Sequence, residues 1–236
     1  EKKEVLDIVI GINRGRLPVV LGMGSNNTAH LIETIRNTDF KGVDAILSVA
    51  PYYNKPTQEG LFQHFTKVAD ESPVPVILYN VPGRTSSNIL PETVLRLAAH
   101  PNIIAVKEAS GSFDQFMAII GNKPHDFLCI SGDDGITQPF IATGGDGLIS
   151  VVGNAYPRLT SDMVNAAMQD DMSKARKLHY RLLPLIPFLF KEGNPAGVKE
   201  IMQMMGLCKN TVRLPLVSVS EDLKTDLTLE YDRLKN

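Results

Sequence analysis

The chain has 236 residues, 43% of them hydrophobic, and 24 Lys and Arg against 26 Asp and Glu give a formal net charge of -2. That is enough apolar material for one large domain or two small ones, and the charge balance, without any basic stripe, excludes nucleic acid and an anionic membrane surface and leaves small molecules as partners. Two cysteines, Cys129 and Cys208, are too few for a disulfide framework and read as free thiols, which favours the reducing cytoplasm.

The chain opens in a helical pattern, Val5, Ile8, Val9 and Ile12, with no capping residue ahead of Glu1. This stretch mixes Lys, Glu and Asp with apolar positions, unlike a signal peptide, and no apolar run in the chain approaches the ~20 residues needed to span a bilayer. Six apolar strand candidates then recur at the interval of a strand-loop-helix unit: Pro18 to Leu21, Ala45 to Ala50, Val74 to Tyr79, Ile103 to Val106, Phe127 to Ile130 and Gly147 to Val152. Amphipathic helical stretches alternate with them, at Asn27 to Asn37, Gln58 to Glu71, Pro91 to Ala99, Ser112 to Gly121 and Ile136 to Thr143. Such alternation predicts an α/β fold with a parallel sheet covered by helices. After residue 157 the strands cease, and apolar faces carrying Met163, Leu178, Leu182, Val198 and Met202 predict helices, with Pro184 and Pro187 interrupting one of them.

Six units fit either an open doubly wound sheet or most of an eight-unit barrel. After the first strand, Leu21-Gly22-Met23-Gly24-Ser25-Asn26 lacks the third glycine of a dinucleotide fingerprint, and this favours the barrel. The expected organisation is a (β/α)8 barrel over residues 1–157, lacking its first two strands in this chain, and a helical C-terminal region over residues 158–236.

Two residues stand where a barrel keeps its chemistry. Lys107 follows the buried run Ile103 to Val106, and Tyr79 ends the run from Val74, so two parallel strands deliver an amine and a phenol at their C-terminal ends. An amine attacks a ketone only when unprotonated, and burial disfavours the ammonium form. Strand alternation points Glu108 to the opposite face, away from an ion pair with Lys107. Asp133 and Asp134, read as neighbours on a strand, face opposite ways with no His or Cys cluster nearby, so no metal site is expected.

Five motifs in order carry a family likeness: Pro51-Tyr52-Tyr53-Asn54-Lys55-Pro56, Tyr79-Asn80-Val81-Pro82-Gly83-Arg84-Thr85, Val106-Lys107-Glu108-Ala109-Ser110-Gly111, Ser131-Gly132-Asp133-Asp134 and Gly147-Leu148-Ile149-Ser150-Val151. From about Leu17 to its end the chain resembles the dihydrodipicolinate synthases, pyruvate-dependent class I aldolases related to N-acetylneuraminate lyase. The resemblance implies a (β/α)8 barrel with a helical C-terminal region. It further implies condensation of pyruvate with aspartate-β-semialdehyde for lysine and diaminopimelate synthesis, with neither metal nor organic cofactor. Lys107 would form the Schiff base, Tyr79 would move protons, and Tyr53 would join a proton relay across a tight dimer interface. The relay's threonine pair belongs to the expected missing portion. Arg84 would hold the carboxylate of the aldehyde, and Ile149 would meet pyruvate through its backbone. Asn26, His30 and Tyr52 match positions where some members bind inhibitory lysine, with His30 in place of the common glutamate. A homotetramer built as a dimer of dimers is implied. The alternatives are another pyruvate aldolase, acting on a sialic or sugar acid, and a catalytically silent pyruvate-binding protein.

Overall fold

The computed structural model describes residues 1–235 and separates into two compact units, Glu1–Ile130 and a second that begins at Ser131. The first unit runs α1 (Lys2–Asn13), β1 (Val20–Gly22), α2 (Thr28–Arg36), β2 (Ala45–Val49), α3 (Gln58–Glu71), β3 (Val76–Asn80), α4 (Pro82–Thr85), α5 (Pro91–Leu97), β4 (Ile103–Glu108), α6 (Phe113–Ile120) and, up to the boundary at its last residue, β5 (Leu128–Ser131). The five strands form one sheet in chain order, with β1 to β4 pairing in parallel. A doubly wound sheet reverses its order at a switch point, and these strands never do.

Local chemistry accounts for the elements. Thr57 caps α3 through its hydroxyl, which accepts from the Gly60 amide at 3.2 Å, and Leu61, Phe65 and Val68 then recur on one buried face. Asn27 and Ser112 cap α2 and α6 in the same way, and Pro91 opens α5. Successive helices α2, α3, α5 and α6 pack on one another, and α3 packs on β3. Ile46, Val76, Leu78 and Val106 are fully buried, each worth ~1.5–3 kcal/mol.

Register divides the sheet into two faces. Val49, Tyr79 and Lys107 lie side by side, above a small cluster of Ala45, Ile77 and Ala105 on the same face. The opposite face ends in the paired Asn80 and Glu108.

The second unit contains α7 (Thr137–Ala142), α8 (Pro157–Met168), α9 (Met172–Leu182), α10 (Ala196–Met204) and α11 (Glu221–Lys235), joined by loops and short 3-10 turns. Its core gathers Val152, Leu182, Leu185, Ile186, Leu189, Val198, Ile201, Leu223 and Leu227. Pro184 and Pro187 fall between α9 and α10, where Pro187 sits in a 3-10 turn, as the sequence predicts.

Three expectations are corrected. The strand carrying Lys107 does not stop at Val106: β4 runs on to Glu108, because Asn80 continues the ladder opposite it. Gly147 to Val152 forms no strand. Leu148 makes a single parallel bridge to Ser131, and the carboxylate of Asp134 takes the amides of Val151 and Val152 that a continuing ladder would use. Asp133 and Asp134 are not strand neighbours either, since Asp133 caps the 3-10 turn Asp134–Ile136. Among the described residues no helix is long and apolar enough to cross a membrane.

Candidate active site

The ends of β3 and β4 place Lys107 Nζ 4.1 Å from the ring centroid of Tyr79. The pair follows from the parallel register, in which Tyr79 and Lys107 are direct partners one residue from the ends of their strands. Lys107 is 9% exposed. Tyr79 is half-buried, and that burial raises its phenol above the usual value of 10.0, an effect opposed by the positive charge of Arg84. An amine and a phenol in contact, shielded from water and within the field of a guanidinium, can carry out nucleophilic attack and proton exchange at one carbon.

Arg84 sits on α4, the single helical turn that Pro82 opens immediately after β3, and its side chain is exposed. Thr85 and Ser87 close this turn: the Thr85 hydroxyl donates to the Ser87 carbonyl at 2.9 Å, and the Ser87 amide donates back to that hydroxyl at 3.1 Å.

Tyr53 lies in the loop after β2 with φ +75°, a conformation that L residues seldom adopt, and its side chain is 87% exposed. Its amide donates to the Thr85 carbonyl at 3.3 Å, which ties the Tyr53 loop to the Arg84 turn. A left-handed tyrosine projecting into solvent is strained and presents a large apolar ring. Asn54 links this loop to Asn26, donating from Nδ2 to its carbonyl at 2.9 Å. His30 and Tyr52 line a cavity of about 550 Å³ together with Met23, Ser25 and Thr34, whereas Asn26 is outside that lining.

Behind the reactive face is a buried polar network that sequence reasoning missed. Glu108, 3% exposed, accepts from Asn80 Nδ2 at 3.0 Å, from Gln115 Nε2 at 3.1 Å and from the Ser110 amide at 2.6 Å. Asn80, fully buried, also donates to Asn88 Oδ1 at 2.9 Å and accepts from the Ile89 amide at 2.9 Å. Asn88 and Gln115 bond each other in both directions. The signal in the sequence was the polar residue following each candidate one, Asn80 after Tyr79 and Glu108 after Lys107, at positions that alternation sends inward.

Ile149 belongs to the second unit. Its amide donates to the Ser131 carbonyl at 2.9 Å, and Ser131 donates to the Gly147 carbonyl at 2.9 Å. Asp134, 3% exposed, holds the residues that follow, accepting from the Ser150 hydroxyl, from the Val151 amide at 2.9 Å and from the Val152 amide at 3.1 Å. Burial raises the pKa of Asp134, against the lowering effect of these donors.

A profile of the dihydrodipicolinate synthetase family matches residues 1–231. The chain is 56% identical over 230 residues to a 4-hydroxy-tetrahydrodipicolinate synthase of Flavobacterium psychrophilum, covering 97% of this chain and 78% of the relative. Among solved structures, a chloride-inhibited dihydrodipicolinate synthase of Acinetobacter baumannii complexed with pyruvate is similar at TM-score 0.94 and 36% identity, covering 100% of this chain and 82% of that one. A monomeric dihydrodipicolinate synthase variant is similar at TM-score 0.97 and 35% identity, covering 100% and 80%.

Proposed function

This chain belongs to the dihydrodipicolinate synthetase family, and on that premise we propose how its residues divide the chemistry. The protein is an aldolase-type lyase that condenses pyruvate with L-aspartate-4-semialdehyde to 4-hydroxy-tetrahydrodipicolinate, in lysine and diaminopimelate biosynthesis. Its fold is read as a (β/α)8 barrel, whose domain ends near residue 157 and is followed by the helical region 158–236.

The observation that carries the assignment is the contact of Lys107 Nζ with the Tyr79 ring at paired strand ends. The unprotonated amine of Lys107 attacks the ketone carbon of pyruvate, and the resulting carbinolamine loses water to give an imine. Tyr79 passes protons to the departing hydroxyl and takes one from the methyl carbon, leaving an enamine whose carbon bonds to the aldehyde. A phenol this basic works only within a relay, and the exposed Tyr53 supports a relay completed by a second copy of the chain. Arg84 offers a planar fork to the aldehyde's carboxylate. Ile149 meets pyruvate through its backbone. The assembly is read as a dimer of dimers acting in the cytoplasm, without metal or organic cofactor. Asn26, His30 and Tyr52 form a lysine-responsive site, supported by the cavity beside His30 and Tyr52 and by the Asn54 bond to Asn26.

Borohydride added with pyruvate tests the reading. It should reduce the imine and leave a stable pyruvyl mass on Lys107 in the intact protein, and Lys107→Ala should abolish that mass. No adduct, or an equal adduct after the substitution, removes the mechanism. Sedimentation of the same protein checks the assembly, and a monomer that turns over at full rate would remove Tyr53 from the relay.

A further inference from the structure

The chemistry assigned above uses one face of the β3–β4 ends and leaves the other face unexplained. There, Glu108 holds a buried carboxylate met by neutral donors, and three amides surround it. A carboxylate only accepts, so it dictates the orientation of every amide in reach. Asn80 and Gln115 must turn their NH2 groups toward it. Asn80 Oδ1 is thereby left facing the Ile89 amide, and Asn88 and Gln115 lock into a reciprocal pair.

The consequence is topological. The chain leaves β3 at Asn80, makes the turn that carries Arg84, and returns at Asn88 and Ile89 to the side chain of that same Asn80. Gln58 reinforces the neck, donating to the Asn88 carbonyl at 2.8 Å and accepting from the Leu90 amide at 3.1 Å. Lys107 is held independently, by the backbone ladder between β3 and β4.

We propose that Asn80 and Glu108 are positioning residues that close the neck of the 81–88 segment, so that Arg84 is presented at a fixed place for the carboxylate of the aldehyde. The inference rests on the role of Arg84 given above. It separates two functions that a merely structural network would lose together: aldehyde affinity depends on the neck, whereas imine formation depends on the ladder.

An exchange of donor and acceptor tests it. Asn80→Asp sets a second acceptor against Glu108, and Glu108→Gln sets an NH2 group against either the Ser110 amide or the two side-chain amides. Each single substitution should weaken aldehyde binding by 10-fold or more, read as KM or by calorimetry on the borohydride-trapped protein, while pyruvate trapping stays within 3-fold. The double substitution Asn80→Asp with Glu108→Gln restores one carboxylate and one amide. With Asn88 and Gln115 both flipped, every donor again has an acceptor, and aldehyde binding should return to within 3-fold. Should the single substitutions fail to fold, Asn88→Ala opens the neck without burying a lone charge and should weaken aldehyde binding roughly 3- to 10-fold with trapping unchanged. Equal loss of trapping and aldehyde affinity, no loss of either, or a double substitution as weak as the singles overturns the proposal. Failure of the unmodified chain to trap pyruvate is a different result, which removes the reading on which the inference rests.

Discussion

The ends of β3 and β4 and the segment from Gly147 to Val152 each carry residues proposed to act in the chemistry, and within their own units they are secured by different means. Lys107 and Tyr79 ride on a parallel ladder whose backbone bonds run on through Asn80 and Glu108. Ile149 lies on a segment that touches a strand at one bridge and is then held by the single carboxylate of Asp134. A ladder spreads its hold over many main-chain bonds, so a side chain on it can change without moving the backbone. A clamp concentrates its hold on one side chain, and losing that side chain strands every donor it satisfied.

The contrast is open to direct attack, and the largest effect belongs to the ladder. Tyr79→Phe should leave the imine on Lys107 intact while turnover falls roughly 10²- to 10⁴-fold, the range for a lost proton-transfer group. The melting temperature should hardly change. A Tyr79→Phe protein with normal rates would mean that the ring only packs. Asp134→Ala makes the opposite case. It orphans the Ser150 hydroxyl and the Val151 and Val152 amides, and at ~1–3 kcal/mol for each buried group left unsatisfied the protein should lose about 3 kcal/mol or more in urea denaturation. A near-neutral Asp134→Ala would show that the segment does not depend on the clamp.

The same contrast explains what could be read in advance. The β-branched runs that became β2, β3 and β4 were legible because burial on both faces demands them, and Gln58–Glu71 was legible to its ends because Thr57 caps it. Gly147 to Val152 has the same composition, but its fate depends on Asp134, a tertiary partner that no period in the segment reveals. The pairing of Lys107 with Tyr79 followed from strand ends alone. The network behind them did not, because Asn80 meets Glu108 and Asn88 meets Gln115 only once the register of β3 and β4 is fixed. The left-handed backbone of Tyr53 was equally hidden, since a tyrosine gives no hint of φ +75°.

Acid provides a third lever, applied to the helices that cover the sheet. His64 on α3 pairs its Nδ1 with the Thr28 hydroxyl at 2.8 Å, while its Nε2 is buried with no hydrogen-bond partner among the described residues, and burial pulls its pKa from 6.5 down to about 4. The folded state therefore resists a proton that the unfolded chain accepts. Stability is fully present above pH ~6.5, declines as pH falls toward ~4, and changes no further through this group below that. The total is on the order of 3 kcal/mol. Melting temperatures taken across this window should show the decline, and His64→Gln should flatten it. An unchanged slope in His64→Gln would assign the acid sensitivity to other groups.

Arg84→Ala has the smallest expected effect and discriminates most finely, because Arg84 belongs to neither the ladder nor the clamp. It sits on a one-turn helix, exposed, with its position set by the neck behind it. If the guanidinium binds the aldehyde's carboxylate, its removal should cost ~1.5–3 kcal/mol, the worth of a charged hydrogen bond, as a raised KM for the aldehyde alone. Pyruvate trapping on Lys107 should persist, since β3 and β4 are untouched. The same guanidinium lowers the pKa of Tyr79, so its loss should also move that phenol upward, shifting the basic limb of the pH–rate profile in the same direction. Arg84→Lys separates the two effects: a compact ammonium retains the charge felt by Tyr79 but not the planar fork. It should therefore keep the pH profile and still lose aldehyde affinity. Equal losses in trapping and in aldehyde affinity would place Arg84 on the pyruvate side of the site, and no loss of either would return it to the surface and reopen a sialic or sugar acid as the second substrate.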